Sequence, residues 1–115
     1  MKTNSFKDLI VWQKSYALAK EIYLVFEKFP KNETYGLTQQ MKRAVVSIPS
    51  NIAEGYGRQY NKEYQQFLSI AYGSLCELET QYLMSVDLKY IDKSERIENL
   101  LKEVGGMLYR MLNPK

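Results

Sequence analysis

Few side chains in this chain could do covalent or acid–base chemistry, and their spacing argues against it. There is no histidine among the 115 residues, which removes the commonest general base and the commonest transition-metal ligand together. Cys76 is the only cysteine. It neighbours an apolar helical seam, where a small buried hydrophobe is the expected role, and no base or helix N-terminus is placed to activate it. Glu77 and Glu79 stand two apart, so on a helix they point to different sides and share neither a proton nor an ion. No triad, phosphate loop or dinucleotide fingerprint occurs. The expectation is a non-enzymatic protein with no cofactor and no metal.

What remains is binding chemistry. Arg43, Ser47, Ser50 and Glu54 follow a 4-3-4 spacing, and Arg58 continues near that stripe. Two readings compete. In one, Ser47, Ser50 and Ala53 are small because another helix packs there, Asn51 bridges a kink at Pro49, and Glu54 pairs with Arg58 at i, i+4. In the other, the stripe is a ligand groove whose arginines meet phosphates. Residues 1–62 carry ten Lys/Arg against five Asp/Glu, a balance of +5, while residues 63–115 carry six against eight, a balance of −2. A basic half and an acidic half suit either a polyanion or pairing between subunits. Tyr56 and Tyr60 interleave with Arg58, a mixture suited to single-stranded nucleic acid. Lys42, Arg43, Arg58 and Lys62 are the candidate phosphate contacts.

These residues lie on helices. Helical periodicity runs from end to end and nothing alternates like a strand. Four helices are predicted, over about residues 8–28, 34–57, 61–88 and 93–112. The second keeps Leu37, Met41, Val45, Ile48 and Ile52 on one stripe and ends around Gly55 and Gly57, with Asn32 or Thr34 as its cap. The third repeats Tyr64, Leu68, Ala71, Leu75, Leu78 and Tyr82 at bundle spacing, with Asn61 as N-cap. The fourth buries Ile97, Leu101, Val104, Leu108 and Met111. Asp92 and Glu95 are spaced like a capping box before it, and Gly105-Gly106 implies close approach of another helix. Short connections between such helices make an all-α, antiparallel up-down-up-down four-helix bundle, a single domain across residues 1–115. No apolar run reaches the length of a bilayer span, and no signal-peptide core is visible. With one cysteine, a cytoplasmic location is expected.

The first helix has an excess of apolar surface. Val11, Leu18, Ile22, Val25 and Phe29 form one stripe, while Leu9, Trp12, Tyr16, Ala19, Tyr23 and Phe26 form another roughly 110° away. A bundle buries about one stripe per helix. Trp12, Tyr16, Tyr23 and Phe26 are therefore the candidate oligomer interface. If basic half meets acidic half, that contact is heterologous and can close into a ring.

The chain also resembles the four-helix-bundle family encoded by intervening sequences within bacterial 23S ribosomal RNA genes. The pieces that carry the resemblance are Phe6-x-x-Leu9-x-Val11-Trp12-Gln13, Phe29-Pro30-x-x-Glu33-x-Tyr35-Gly36-Leu37, and Gln40-x-x-Arg43-Ala44-x-x-Ser47-Ile48. With them go Asn51-Ile52-Ala53-Glu54-Gly55-x-Gly57-Arg58 and Phe67-Leu68-x-x-Ala71-x-Gly73-Ser74-x-x-Glu77-Leu78-Glu79. The resemblance implies a four-helix bundle assembled as a ring of five. A similar fold serves as the accessory variability determinant of diversity-generating retroelements, a basic pentamer that binds nucleic acid and a reverse transcriptase. The functional expectation is thus an oligomeric protein, a homopentamer, associated with ribosomal RNA or other nucleic acid. The alternative is a scaffold ring that binds a protein partner without nucleic acid.

Overall fold

The computed structural model describes residues 5–114. Its four helices are α1 (Ile10–Val25), α2 (Leu37–Tyr56), α3 (Asn61–Asp87) and α4 (Glu95–Leu112). Short 3-10 turns at Phe6–Asp8 and Phe26–Lys28 flank α1, and a third at Lys31–Glu33 precedes α2. The predicted first helix therefore tightens at both ends rather than continuing as α-helix. No strand occurs among the described residues. Each helix packs on its chain neighbours, and α4 returns to α1, so the four close into a square with α1 and α3 on one diagonal. The bundle measures 44 × 25 × 23 Å.

The centre is filled by one residue stripe from each helix. Leu18 and Ile22 of α1, Met41, Val45, Ile48 and Ile52 of α2, Leu68 and Leu78 of α3, and Val104 and Leu108 of α4 are fully enclosed. These are the positions that a period of 3.6 assigns to one face. Leu37, Tyr64 and Met111, predicted core members, are only partly buried against that cluster, because each lies at a helix end where the bundle opens to water.

The caps differ from those predicted. Neither Asn32 nor Thr34 caps α2: both fall in or beside the preceding 3-10 turn, and the Leu37 N–H is taken by Glu33 Oε1 at 2.9 Å. Tyr60, not Asn61, holds the N-cap position of α3. At α4 the cap is Ser94, whose hydroxyl accepts from the Ile97 N–H at 3.2 Å, so Asp92 lies outside the helix. The α3 terminus turns through Lys89 at φ 65°, with Tyr90 N–H reaching Ser85 O and Lys89 N–H reaching Val86 O. That is a Schellman turn with lysine at the left-handed position where glycine is usual.

α2 passes through Pro49 without interruption. Pro49 leaves the Val45 carbonyl without its helical donor. One turn on, the Asn51 side-chain amide donates to Ser47 O at 2.8 Å and Ser47 Oγ at 2.9 Å. Across the α2–α3 contact, Ser47 Oγ and Ser74 Oγ share a hydrogen bond of 2.8 Å. Here the packing reading of the small-residue stripe describes Ser47, whereas Ser50 is exposed.

Candidate nucleic-acid and assembly surfaces

The four predicted phosphate contacts do not form one site. Lys42 and Arg43 are neighbours in sequence and therefore diverge by about 100° around α2. Lys42 leans over α1, its ammonium 5.7 Å from the ring centres of both Tyr23 and Phe26. Arg43 faces the other way and lines a small polar hollow of about 180 Å³ with Gln40, Ser47, Ser74 and Glu77. Arg58 lies just beyond the end of α2, roughly 20 Å along the chain axis from Arg43. Its Nη2 meets Glu54 Oε2 at 2.9 Å, and its guanidinium sits 4.8 Å over the Phe67 ring. Lys62 is exposed in the first turn of α3, where it adds to the positive end of that helix's dipole. Tyr60 stands beside it, 63% exposed. The cations thus divide into an Arg58–Lys62 corner, an isolated Arg43, and a lysine that belongs to the aromatic face of α1.

That aromatic face differs from its predicted form. Trp12 and Phe26 are half-buried by the chain's own turns: Trp12 stacks on Tyr16 at 4.9 Å and meets the edge of Phe6 at 5.2 Å. Phe26 packs edge-on against Phe29 at 5.5 Å. Tyr16 and Tyr23 remain exposed, at 48% and 43%. Leu24 and Lys20, which the sequence reading passed over, complete the ridge: Leu24 is 67% exposed, and Lys20 lies over the Tyr16 ring at 5.1 Å. The i, i+4 spacing of Tyr16 and Lys20 was a legible signal for that pair. Leu24 falls about 100° beyond the aromatic stripe, on the side away from the core, so stripe counting missed it.

A second surface went unpredicted. Between α3 and α4 runs an open groove of about 960 Å³ whose lining includes Tyr72, Cys76, Glu79, Leu83, Gly105 and Tyr109. Cys76, expected to be buried, is exposed in its wall. The seam it neighbours turns inward at Leu75 and Leu78, and one residue further round the helix is already outside. Glu77 and Glu79 do part to different sides, Glu77 beside Arg43 and Glu79 in the groove. Gly105 meets α3 closely, since a Cβ there would lie 3.0 Å from Leu75 Cδ2. Gly106 would meet only the Arg110 side chain of its own helix.

Tyr82 and Glu33 have structural duties. The Tyr82 hydroxyl accepts from Ser94 N–H at 2.7 Å and donates to Glu98 Oε2 at 3.0 Å. Burial, with the Glu98 carboxylate, pushes its ionisation above the usual tyrosine range. Glu33 is held below its ordinary value by the Leu37 N–H and then the Tyr90 hydroxyl, which donates to Oε2 at 2.7 Å. Among the described residues no three His, Cys, Asp or Glu side chains gather as a metal site, and no helix is long and apolar enough to cross a membrane.

No curated protein matches the chain. A solved structure of a protein of unknown function from the S23 ribosomal protein family of Bacteroides thetaiotaomicron is similar, with a TM-score of 0.79 and 23% identity. The match covers 90% of this chain and 98% of that one, and at such identity it speaks for the fold. The family described as 23S rRNA-intervening sequence protein matches residues 7–110. The chain belongs to the 23S rRNA-intervening sequence protein family.

Proposed function

We propose that this is a non-enzymatic, oligomeric protein associated with ribosomal RNA or another nucleic acid, and that it works by binding alone. The observation that carries the reading is the corner where α2 hands over to α3. There Arg58 is laid on Phe67, Lys62 stands in the first turn of α3, and Tyr60 offers an exposed ring. A guanidinium, an ammonium at the positive end of a helix dipole and a free aromatic face are the parts that grip a phosphate backbone and stack a base. Glu54 holds one side of Arg58, but an exposed pair of this kind is weak and exchanges readily for a phosphate. Arg43 makes a secondary contact further along α2. Lys42, drawn onto the α1 aromatics, serves assembly instead. The absence of histidine, the commonest general base, favours a role that rests on binding.

Fluorescence anisotropy with single-stranded and structured RNA at low and moderate salt tests this. The expected result is affinity that falls steeply as salt rises, with Arg43→Ala/Arg58→Ala weaker at every salt. No binding at low salt, or binding indifferent to salt, overturns the reading.

A scaffold ring that binds a protein partner is the second reading, favoured by the exposed Tyr16, Tyr23 and Leu24. A pull-down from the native host with and without nuclease separates the two, since only a scaffold keeps its partners after nucleic acid is destroyed. In both readings the protein is a homo-oligomer, and the number five is carried by the resemblance to ring-forming relatives.

A further inference from the structure

We propose that the exposed α1 ridge of one copy, Tyr16, Lys20, Tyr23 and Leu24, seats in the α3–α4 groove of a second copy of this chain. The inference rests on the homo-oligomer reading and specifies its contact.

The ridge and the groove fit in shape. The ridge presents two tyrosines and a leucine in little more than two helical turns, and these residues with Ala19 already enclose a shallow apolar hollow. The groove is walled on α3 from Tyr72 to Asp87 and on α4 from Glu98 to Arg110, a span of about 20 Å. Such a length takes a helix rather than one side chain. Gly105 and Gly106 are half-buried and bring no side chain of their own to the α4 wall, so a tyrosine arriving from outside meets backbone and Leu75 at Gly105 and the flexible Arg110 side chain at Gly106.

Charge matches as well. α3 contains no basic residue after Lys62, and its groove wall carries Glu79 and Asp87. The ridge arrives with Lys20, and Lys42 lies across Tyr23. On the other wall Lys102 and Arg110 are matched by Glu27, which follows the ridge in the 3-10 turn after α1. Opposite charges at the rim of an apolar contact fix register and exclude the reversed arrangement.

A copy cannot fill its own groove, because α1 and α3 occupy one diagonal of the square. The contact is therefore heterologous and propagates from copy to copy until the rotation closes.

The lone cysteine provides the test, since Cys76 lines the groove and is exposed. In the full chain, Tyr16→Cys, Lys20→Cys and Tyr23→Cys are each oxidised with diamide, and the mass of the wild type is measured by light scattering at micromolar concentration. The expected result is a non-reducing ladder of dimers and larger species from at least one of the three variants, lost when Cys76→Ser is added. Charge reversal gives an independent readout. Lys20→Glu and Glu79→Lys each weaken assembly at least tenfold, and the double variant regains it. A dimer band that forms as readily after Cys76→Ser means ridge meets ridge and overturns the proposal, since one cysteine per chain can link no more than two copies. So does the absence of both ladder and charge rescue in a protein that is oligomeric, an outcome that leaves the assembly reading standing. A wild-type mass near 13.5 kDa overturns assembly and this contact together. If Lys20→Glu abolishes RNA binding with the mass unchanged, nucleic acid rather than a second copy covers the ridge, and the proposal falls.

Discussion

The two sides of α3 are built to opposite ends. Toward α2, in the most extensive of the helix contacts, the surfaces close on each other. Ser47 bonds Ser74, Ser85 Oγ lies 3.5 Å from Met41 Sδ, and Gly55 brings α2 so near that a Cβ there would stand 2.8 Å from Phe67 Cβ. Toward α4 the same helix leaves a groove, with Cys76, Glu79 and Leu83 in its open wall. One helix thus completes the monomer on one side and stays unfinished on the other. The polar groups of the closed side find partners within the chain, with the exception of the buried Gln81 Oε1. On the open side Cys76, Glu79 and Leu83 stay exposed in the monomer, an arrangement more apt for binding than for stability.

The largest effect expected from that contrast is a pair of truncations. Met41→Ala removes a fully buried side chain from the closed side and should cost about 2–5 kcal/mol, the range for large-to-small core changes. Leu83→Ala, at a position 53% exposed in the groove, should stay within about 0.5 kcal/mol while impairing assembly. Urea unfolding of both variants, followed by light scattering, checks this. Equal losses of stability would erase the distinction between the sides.

Glycines give a smaller and signed version. Gly55→Ala forces a methyl against Phe67 Cβ and Tyr64 Cδ1, at 2.8 and 2.9 Å. Overpacking of that kind costs about 1–3 kcal/mol, more than the gain in helix propensity returns. Gly73→Ala meets nothing within 4 Å on the exposed side of α3, so propensity should dominate and stabilise by about 0.5–1 kcal/mol. Thermal melts that shift in the same direction for both would break the comparison.

The smallest effect lies at the end of the closed side, where Glu33 before α2 is clasped by Tyr90 after α3. Its carboxyl titrates below the ordinary 4.5. A depressed folded value means that its contribution is complete above the unfolded value and is lost as pH falls through the folded one. Urea midpoints of the wild type should therefore decline in the acid range below the ordinary glutamate value. Glu33→Gln, which keeps an oxygen for the Leu37 N–H, should lose that part of the decline. An identical pH profile for the two proteins would show that the clasp does not contribute.

What the sequence determined by itself was the number of helices, their order and the residues they bury. Met41, Val45, Ile48 and Ile52, or Leu68, Leu75 and Leu78, recur at the helical period, and apolar burial follows that period whatever the neighbours are. The family was legible for a similar reason, since its motifs are local strings. The Glu54–Arg58 pair, four residues apart on one helix, was readable too. Caps were less so. Several residues near α2 and α4 could have capped them, and the chain path selected Glu33 and Ser94. Tertiary structure alone decided which surfaces stayed open. Cys76 lies beside a buried stripe, and whether it faces a partner helix or water depends on how far apart α3 and α4 settle. Trp12 and Phe26 were covered by Phe6 and Phe29 from turns whose positions no periodicity encodes. Lys42 and Arg43, adjacent in the chain, were sent to different helices because a single residue step is a turn of about 100°. Periodicity measures position around one axis, whereas a site requires the relative placement of several.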